Sequence, residues 1–194
     1  MDTEGIVIRN AMQEDAPFIA KCVVEAMGMP CFNPENMQED TTVLLEVMEE
    51  LCRMEESLYS WKHADMAIDA ATGEPAGCLI SYDGGLYAGL RQKTFSYARK
   101  RIGKEMPESG METQAGEFYM DSMAILPEYR GFRIGQRLML NAVRKGWEAG
   151  IDKTSLIVDK EAPGLQAYYA SAGFVPDGEM IFFGHPYVRM VSQK

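Results

Sequence analysis

The stretch from Met123 to Met139 constrains the fold of this chain most strongly. It reads as an apolar strand that stops at Pro127, a turn that contains two glycines and two arginines, and an amphipathic helix. A second strand at residues 154–158 and a short helix at 163–172 follow. Two strands joined through a helix pair in parallel, whereas short neighbouring strands favour antiparallel hairpins. The sequence therefore predicts an α/β (α+β) fold with a mixed central sheet flanked by helices.

The rest of the chain supplies further strands of this sheet and helices that flank it. Apolar periodicity predicts helices at residues 13–27 and after Asp40. Alternating or apolar runs predict additional strands at residues 5–9, 63–70, 77–82 and 117–126, from Gly173 onward, and at 179–183 and 187–191. We expect a sheet of about six to seven strands.

Residues 84–116 interrupt the β pattern. Leu86, Leu90, Tyr97 and Ala98 favour a helix there, and a loose loop follows it. Six Lys or Arg residues lie between positions 91 and 104 with no acid among them. This basic run has three interpretations: a nucleic-acid contact, a solvated helix face, or a cover over a ligand site. We favour the last two. We expect one domain over residues 1–194 that carries 84–116 as an insertion.

The composition is that of a globular protein. The chain has 194 residues, of which 46% are hydrophobic and 25% charged. No long apolar run or signal peptide is present at the sequence level, so we expect a cytoplasmic protein that does not enter a membrane. The four cysteines include no Cys-x-x-Cys pair and there are only two histidines. We interpret the cysteines as reduced core thiols and expect no metal site.

The net charge of −10 is concentrated at one end of the chain. Residues 1–60 contain 13 acids and three basic residues, whereas the remainder carries equal numbers of each sign. This balance disfavours nucleic-acid binding, which needs clustered Lys and Arg. Solubility and an acidic wall that attracts a cationic ligand are both open interpretations.

The turn before the predicted helix has the features of an anion site. The first amides of a helix have no intrahelical partner and lie at the positive end of its dipole. Gly131 and Gly135 allow a ligand to approach the backbone, and Arg130, Arg133 and Arg137 add positive charge. The residues that a Walker loop or a dinucleotide-binding fingerprint requires are absent from this turn. The pattern therefore predicts a phosphate or pyrophosphate ligand that is bound by neither of these motifs.

Two blocks of sequence resemble the GNAT superfamily of N-acetyltransferases. Residues 123–131, Met-Ala-Ile-Leu-Pro-Glu-Tyr-Arg-Gly, and 130–135, Arg-Gly-Phe-Arg-Ile-Gly, resemble the family's lead-in and its signature Gln/Arg-x-x-Gly-x-Gly/Ala, with Arg133 where glycine is usual. Residues 162–174 are similar to Asn-x-x-Ala-x-x-x-Tyr-x-x-x-Gly-Phe, with Ala162 in place of the asparagine. The resemblance covers nearly the whole chain. It implies a GNAT fold whose sheet is splayed between the fourth and fifth strands.

The resemblance also implies the donor site. Acetyl-CoA is expected as co-substrate, with its pantetheine arm along the strand and its diphosphate at the turn, and no metal. Arg133 either crowds this turn or reaches a CoA phosphate. The residues implied to bind the cofactor are Met123, Ala124, Ile125, Arg130, Gly131, Phe132, Arg133, Ile134, Gly135, Gln136 and Arg137.

The resemblance assigns three candidate catalytic residues. Tyr169 holds the position of the family tyrosine that often protonates the leaving thiolate, with Tyr168 as the alternative. Asp121 holds a position where family members that act on polyamines or aminoglycosides often carry an acid. It would accept a proton, directly or through water, or hold the ammonium. Glu117 lies on the same strand face by two-residue periodicity and is the runner-up.

We therefore expect an N-acetyltransferase that moves an acetyl group to a primary amine of a small, cationic acceptor by direct attack. The alternative is an acyl-CoA-binding sensor without turnover. Residues 84–116 are expected near the acceptor site. No nucleic-acid partner is expected, and since many members of this family self-associate, a homodimer is an alternative to a monomer.

Overall fold

The computed structural model describes residues 5–33, 35, 37–103 and 109–193. In these ranges the chain forms seven strands and five helices. They are β1 (Ile6–Asn10), α1 (Ala16–Ala26), α2 (Glu39–Arg53), β2 (Ala64–Asp69), β3 (Pro75–Asp83), α3 (Tyr87–Ile102), β4 (Glu117–Ile125), α4 (Ile134–Glu148), β5 (Lys153–Asp159), α5 (Pro163–Ser171), β6 (Val175–Phe182) and β7 (His185–Gln193).

The strands form one sheet in the order β1-β2-β3-β4-β5-β7-β6. Only the β4–β5 pair is parallel, and its register runs from Glu117 opposite Lys153 to Tyr119 opposite Ser155. Both strands continue well beyond this short ladder, so a gap opens between them. The mixed α/β sheet and its splay between the fourth and fifth strands are confirmed.

A β-bulge shapes β4 where it borders this gap. Leu79 of β3 lies opposite Met123, whereas Ser81 lies opposite Met120. Two residues of β4, Asp121 and Ser122, therefore face the single residue between Leu79 and Ser81. A bulge of this kind bends its strand and redirects side chains.

Two apolar clusters lie on the two faces of the sheet. Because side chains alternate along a strand, Cys78 and Ile80 of β3 join the cluster that packs against α1, α2 and α3. Leu79 joins the cluster that packs against α4 and includes Phe174. The helices α1 and α4 thus lie on opposite faces of β3 and β4, and each reaches the edge of the gap.

The helix expected within residues 84–116 is α3, and its basic side chains contact acids of the first third of the chain. Arg101 Nε lies 2.7 Å from a carboxylate oxygen of Glu50, and the hydroxyl of Tyr97 donates to the same carboxylate. Lys93 pairs with Glu56. These contacts favour the interpretation of the basic run as part of a cover and not as a nucleic-acid surface. The expected loop after α3 lies partly outside the described residues, at positions 104–108.

The end of the chain differs from expectation in one element. Residues 173–183 were expected to form two separate β runs, but β6 is one strand, Val175–Phe182, paired with β7. Its register shifts between Pro176 and Glu179, and Gly178 has φ 112°. The Pro-Asp-Gly sequence therefore makes a bulge inside the strand, where sequence alone indicates a turn.

The four cysteines, Cys22, Cys31, Cys52 and Cys78, are buried and free of disulfides. Burial raises the pKa of the Cys22 and Cys52 thiols well above the usual range, so both stay protonated. Within the described ranges, no helix combines the length and apolar character needed to cross a bilayer. The same ranges contain no group of three or more His, Cys, Asp or Glu side chains placed to share a metal ion.

Candidate active site

A cleft of about 520 Å³ lies between the end of β4 and the start of α4. We call it the β4–α4 cleft. It is lined by Glu25, Ala26, Met123, Ala124, Ile125, Tyr129, Arg130, Gly131, Arg133, Ile134, Gly135, Gln136, Leu165 and Tyr168. Nine of the eleven residues predicted to bind the cofactor are in this set, and Phe132 and Arg137 are not.

The first turn of α4 forms the polar end of the β4–α4 cleft. The amide of Arg137 donates to the carbonyl of Arg133 at 3.1 Å and closes this turn. The amides of Ile134, Gly135 and Gln136 precede that bond, so they have no i−4 carbonyl within the helix. Their residues line the cleft. Three amides at the positive end of a helix dipole suit an anionic oxygen.

Gly135 keeps this turn accessible. A Cβ atom at this position would clash with the hydroxyl of Tyr168 and lie 3.5 Å from the sulfur of Met123. Any side chain here would fill the place where α4, β4 and α5 meet beside the free amides. The glycine therefore preserves a cradle of the kind that a diphosphate needs.

The arginines of the turn have different surroundings. Arg133 is exposed, lines the cleft and has φ 57° and ψ 18° in the left-handed region. Arg130 donates from Nε to the carbonyl of Ile125 at 3.0 Å, and its Nη2 lies 3.7 Å from a carboxylate oxygen of Glu25. Arg137 donates to the carbonyl of Ile6 at 2.8 Å. Arg130 and Arg133 are thus the two guanidinium groups at the cleft.

A second cavity, of about 350 Å³, lies at the gap between β4 and β5. We call it the splay cavity. Its lining is largely aromatic and apolar, with two acids, and it shares Ala26 with the β4–α4 cleft. The lining residues are Ala26, Met27, Leu58, Tyr59, Phe95, Glu112, Asp121, Ser122, Ile157, Phe182, Phe183 and Tyr187. Phe95 comes from α3 and Glu112 from the segment after it, so two residues within 84–116 contribute to its wall.

Asp121 lies in the β4 bulge and faces the splay cavity. One carboxylate oxygen accepts from the hydroxyl of Tyr82 at 2.6 Å, and the other from Ser122 Oγ at 2.8 Å. Burial raises the pKa of Asp121, although both hydrogen bonds oppose this. A carboxylate with a raised pKa is better suited to accept a proton near neutral pH.

Glu112 is a second carboxylate of the splay cavity, and sequence reasoning missed it. Its two oxygens accept from the hydroxyls of Tyr87 and Tyr119, each at 2.7 Å. Burial and the nearby charge of Asp121 raise the pKa of Glu112 to about 7. The residue lies in a loop without a motif or periodicity, so no local signal distinguishes it from the other acids of that loop.

Glu117 belongs to β4 like Asp121, but it lines neither the splay cavity nor the small interior cavity that Asp121 lines. It forms an ion pair with Arg189 of β7 and accepts from Ser155 Oγ at 3.0 Å. Burial raises the pKa of Glu117, but Arg189 outweighs burial and the net pKa is lowered. Glu117 lines a third cavity of about 420 Å³, which also includes Gly84, Glu112 and Arg189. We call this third one the outer cavity.

Tyr169 and Tyr168 lie on different cavities. Tyr168 lines the β4–α4 cleft. Tyr169 lines a small interior cavity of about 20 Å³ together with Asp121 and Met123, which is room for about one water molecule. Burial raises the pKa of Tyr169 to about 12, so its hydroxyl carries a proton at neutral pH.

The sequence of this chain matches a known family. The sequence model of the acetyltransferase (GNAT) family matches residues 35–174, and the chain belongs to this family. Membership indicates acyltransferase activity, and the family uses acetyl-CoA as donor. No curated protein matches the chain by sequence.

Solved structures agree with this assignment. A crystal structure of an acetyltransferase is similar with a TM-score of 0.75 and 25% identity, covering 96% of this chain and 98% of the other. An N-acetyltransferase from Staphylococcus aureus Mu50 has a TM-score of 0.71 and 23% identity, covering 95% and 99%. The NatC complex bound to a Gag peptide and CoA is similar in fold, with a TM-score of 0.58 and 15% identity, covering 100% and 99%.

Proposed function

We propose that this protein is an acetyl-CoA-dependent N-acetyltransferase that acts on a primary amine of a small cationic molecule. The observation that carries the proposal is that two unlike cavities adjoin at Ala26. The β4–α4 cleft offers free amides and two arginines to an anionic donor. The splay cavity offers carboxylates and aromatic faces to a cationic acceptor, and Ala26 lines both.

The residues that would hold the donor follow from the cleft. The amides of Ile134, Gly135 and Gln136 and the side chains of Arg130 and Arg133 suit the diphosphate of CoA. The edge of β4 at residues 123–125 turns away from β5 and suits the pantetheine arm. Acetyl-CoA supplies the acetyl group as a thioester. We assign no donor contact to the side chains of Phe132 and Arg137, because neither lines the cleft.

The acceptor must be bound as a cation and react as a neutral amine. A primary amine has a pKa of about 10, so it reaches the site as an ammonium. Asp121 and Glu112 would attract this charge, and the aromatic side chains around them favour it through cation–π contact. Once the nitrogen has lost a proton, its lone pair can attack the thioester carbonyl.

We propose Asp121 as a proton acceptor and Tyr169 as the donor to the departing sulfur. Both line the interior cavity, so a proton can pass between them through about one water. Glu117 is not needed in this scheme, since its ion pair with Arg189 lowers its pKa and it lines the outer cavity.

The test combines calorimetric titration with CoA and a thiol-release assay over a panel of amines. We expect CoA binding and thiol release with at least one cationic primary amine. Asp121→Asn should retain CoA affinity and lose roughly 10²-fold in kcat. Absence of CoA binding at millimolar concentration would overturn the proposal. CoA binding without thiol release on a broad panel would instead indicate an acyl-CoA-binding module.

A further inference from the structure

Acetylation of an ammonium requires two proton transfers from one nitrogen. The first frees the lone pair, and the second accompanies formation of the amide. One proton ends on the product thiol and the other leaves to solvent. A site that follows the proposed function therefore needs an internal route to the sulfur and an external route to water.

Asp121 is placed for the internal route. It lines both the splay cavity and the interior cavity that also holds Tyr169. A proton accepted by Asp121 can thus return through the Tyr169 hydroxyl to the departing sulfur.

Glu112 is placed for the external route. Among the residues that line the splay cavity and the outer cavity in the described part of the chain, it is the one that the two cavities share. The hydroxyls of Tyr87 and Tyr119 hold its two oxygens at 2.7 Å. Each carboxylate oxygen has a second lone pair, so either oxygen can accept a further proton.

The groups that face Glu112 come from several elements. The charge of Asp121 of β4 raises its pKa and that of Arg91 of α3 lowers it, and Glu117 of β4 and Arg189 of β7 line the outer cavity with it. The charge of Glu112 also raises the pKa of five nearby phenols, those of Tyr59, Tyr82, Tyr87, Tyr119 and Tyr187. Burial raises the pKa of each of these phenols, so they are neutral donors that cannot accept the ammonium proton.

We propose that Glu112 is a second proton acceptor of the site and carries the first proton of the acceptor amine from the splay cavity to solvent in the outer cavity. This inference rests on the proposed function. In the balanced step, the N–H bond breaks and the proton joins a Glu112 oxygen. The nitrogen lone pair then forms the N–C bond while the C–S bond breaks. Asp121 takes the second N–H proton, and Tyr169 protonates the sulfur. The proton on Asp121 then passes through the interior cavity to the Tyr169 oxygen, and Glu112 releases its proton to water.

The first test compares the pH profiles of wild type and Glu112→Gln in the thiol-release assay. In wild type, kcat/KM should rise with pH through about 7, because Glu112 must be ionised to accept the proton. Glu112→Gln should lower kcat by roughly 10²-fold, remove this limb and leave CoA affinity within about twofold. Glu46→Gln, an exposed acid of α2, is the matched control and should behave as wild type.

The second test does not depend on turnover. Carbon-13 NMR of the glutamate carboxyls in the protein without ligand should show one group that titrates near 7, and Glu112→Gln should lack this signal. In Glu112→Gly, added formate should restore part of the rate, because the outer cavity leaves an opening to solvent.

The outcomes separate the two proposals. Wild type that releases no thiol with any amine overturns the proposed function, and the role of Glu112 in transfer with it. An active wild type together with a Glu112→Gln variant of unchanged kcat and pH limb overturns only the role of Glu112. A Glu112→Gln variant that loses CoA binding as well as rate also overturns it, because the effect would then be structural.

Discussion

Arg133 holds a left-handed backbone conformation at the point where the turn enters α4, with φ 57° and ψ 18°. This conformation costs about 1–2 kcal/mol for a residue that has a Cβ atom. Glycine adopts it freely but loses more entropy on folding. Arg133→Gly should therefore raise the free energy of unfolding by about 0.5–1 kcal/mol, measured by urea denaturation. The same variant should bind CoA roughly tenfold more weakly in calorimetry, since a charged hydrogen bond is lost.

Arg133→Ala separates the two effects in this variant. Alanine removes the guanidinium and keeps the Cβ, so the loss of CoA affinity should persist without the gain in stability. Equal stability of the Gly and Ala variants would contradict the strain argument. Tighter CoA binding by both variants would show that the arginine crowds the turn and does not contact phosphate.

The positions of single acids show what sequence can predict at this scale. The family resemblance singles out Asp121 by its position before the lead-in, and the structure places this residue in the lining of the splay cavity. Glu112 could not be placed, because tertiary contacts with Tyr87 and Tyr119, 25 and seven residues away, fix its carboxylate. The ion pair of Glu117 with Arg189 joins residues from distant strands and was equally hidden. The catalytic roles of Asp121, Glu117 and Tyr169 remain predictions.

At the scale of elements, the close approach of α4 and α5 depends on Gly135. A Cβ there would clash with the hydroxyl of Tyr168. Gly135→Ala should weaken CoA binding at least tenfold, because the tyrosine must move into the cleft or the turn must shift. The double variant Gly135→Ala with Tyr168→Phe should recover part of the affinity, as calorimetry would show. If Tyr168→Phe restores nothing, the loss comes from the α4 backbone and not from this contact.

The start of α5 lacks a side-chain cap, because Ala162 occupies its N-cap position. The carbonyl of Ala162 already accepts from the amide of Leu165 at 3.0 Å, whereas its methyl group can accept no hydrogen bond. Ala162→Asn should increase the free energy of unfolding by about 0.5–2 kcal/mol. Thermal denaturation would measure this, with Ala162→Gln as a control whose amide is too long to cap. A gain of equal size in both variants would point to another cause.

The order of the elements was predictable because helices such as α2 and α4 are strongly amphipathic. The expected bounds of the signature strand β4 lie within about one residue of the observed ones, and the helix α4 follows the turn as expected. The bulges were not predictable, since a bulge depends on which residues of two strands oppose each other. For this reason the sequence predicts two separate β runs where the structure has the single strand β6. In β4 the bulge gives both Asp121 and Ser122 access to the splay cavity.

At the scale of the whole molecule, the uneven charge of the sequence is partly resolved by the fold. Acids of the first third of the chain contact the basic side chains of α3, as Glu50 does with Arg101 and Glu56 with Lys93. The helix α3, which forms these ion pairs, also contributes Phe95 to the splay cavity. Opposite charges far apart in sequence thus meet on α3, which lies beside the splay cavity.

Two groups with opposite titration behaviour set the pH dependence of stability near neutrality. Burial raises the pKa of Glu112 to about 7, so its contribution to stability is complete at low pH and is lost as pH rises through 7. Burial, with Lys145 and Lys62 nearby, lowers the pKa of His63 to about 4. The unfolded chain then binds the extra proton, so the contribution of His63 is lost as pH falls below 6.5.

These opposing terms largely cancel between about pH 5 and 6.5 in wild type, so single variants should reveal each slope. Relative to wild type, Glu112→Gln should gain about 1–2 kcal/mol in the free energy of unfolding as pH rises across this window. His63→Gln should lose a similar amount over the same change. Urea denaturation at the two pH values measures both differences, and comparison with wild type removes the term from Asp65, whose pKa burial also raises. A Glu112→Gln variant that follows the wild-type slope would mean that this carboxyl titrates near its ordinary pKa, and the proton route through the outer cavity would then lack its acceptor.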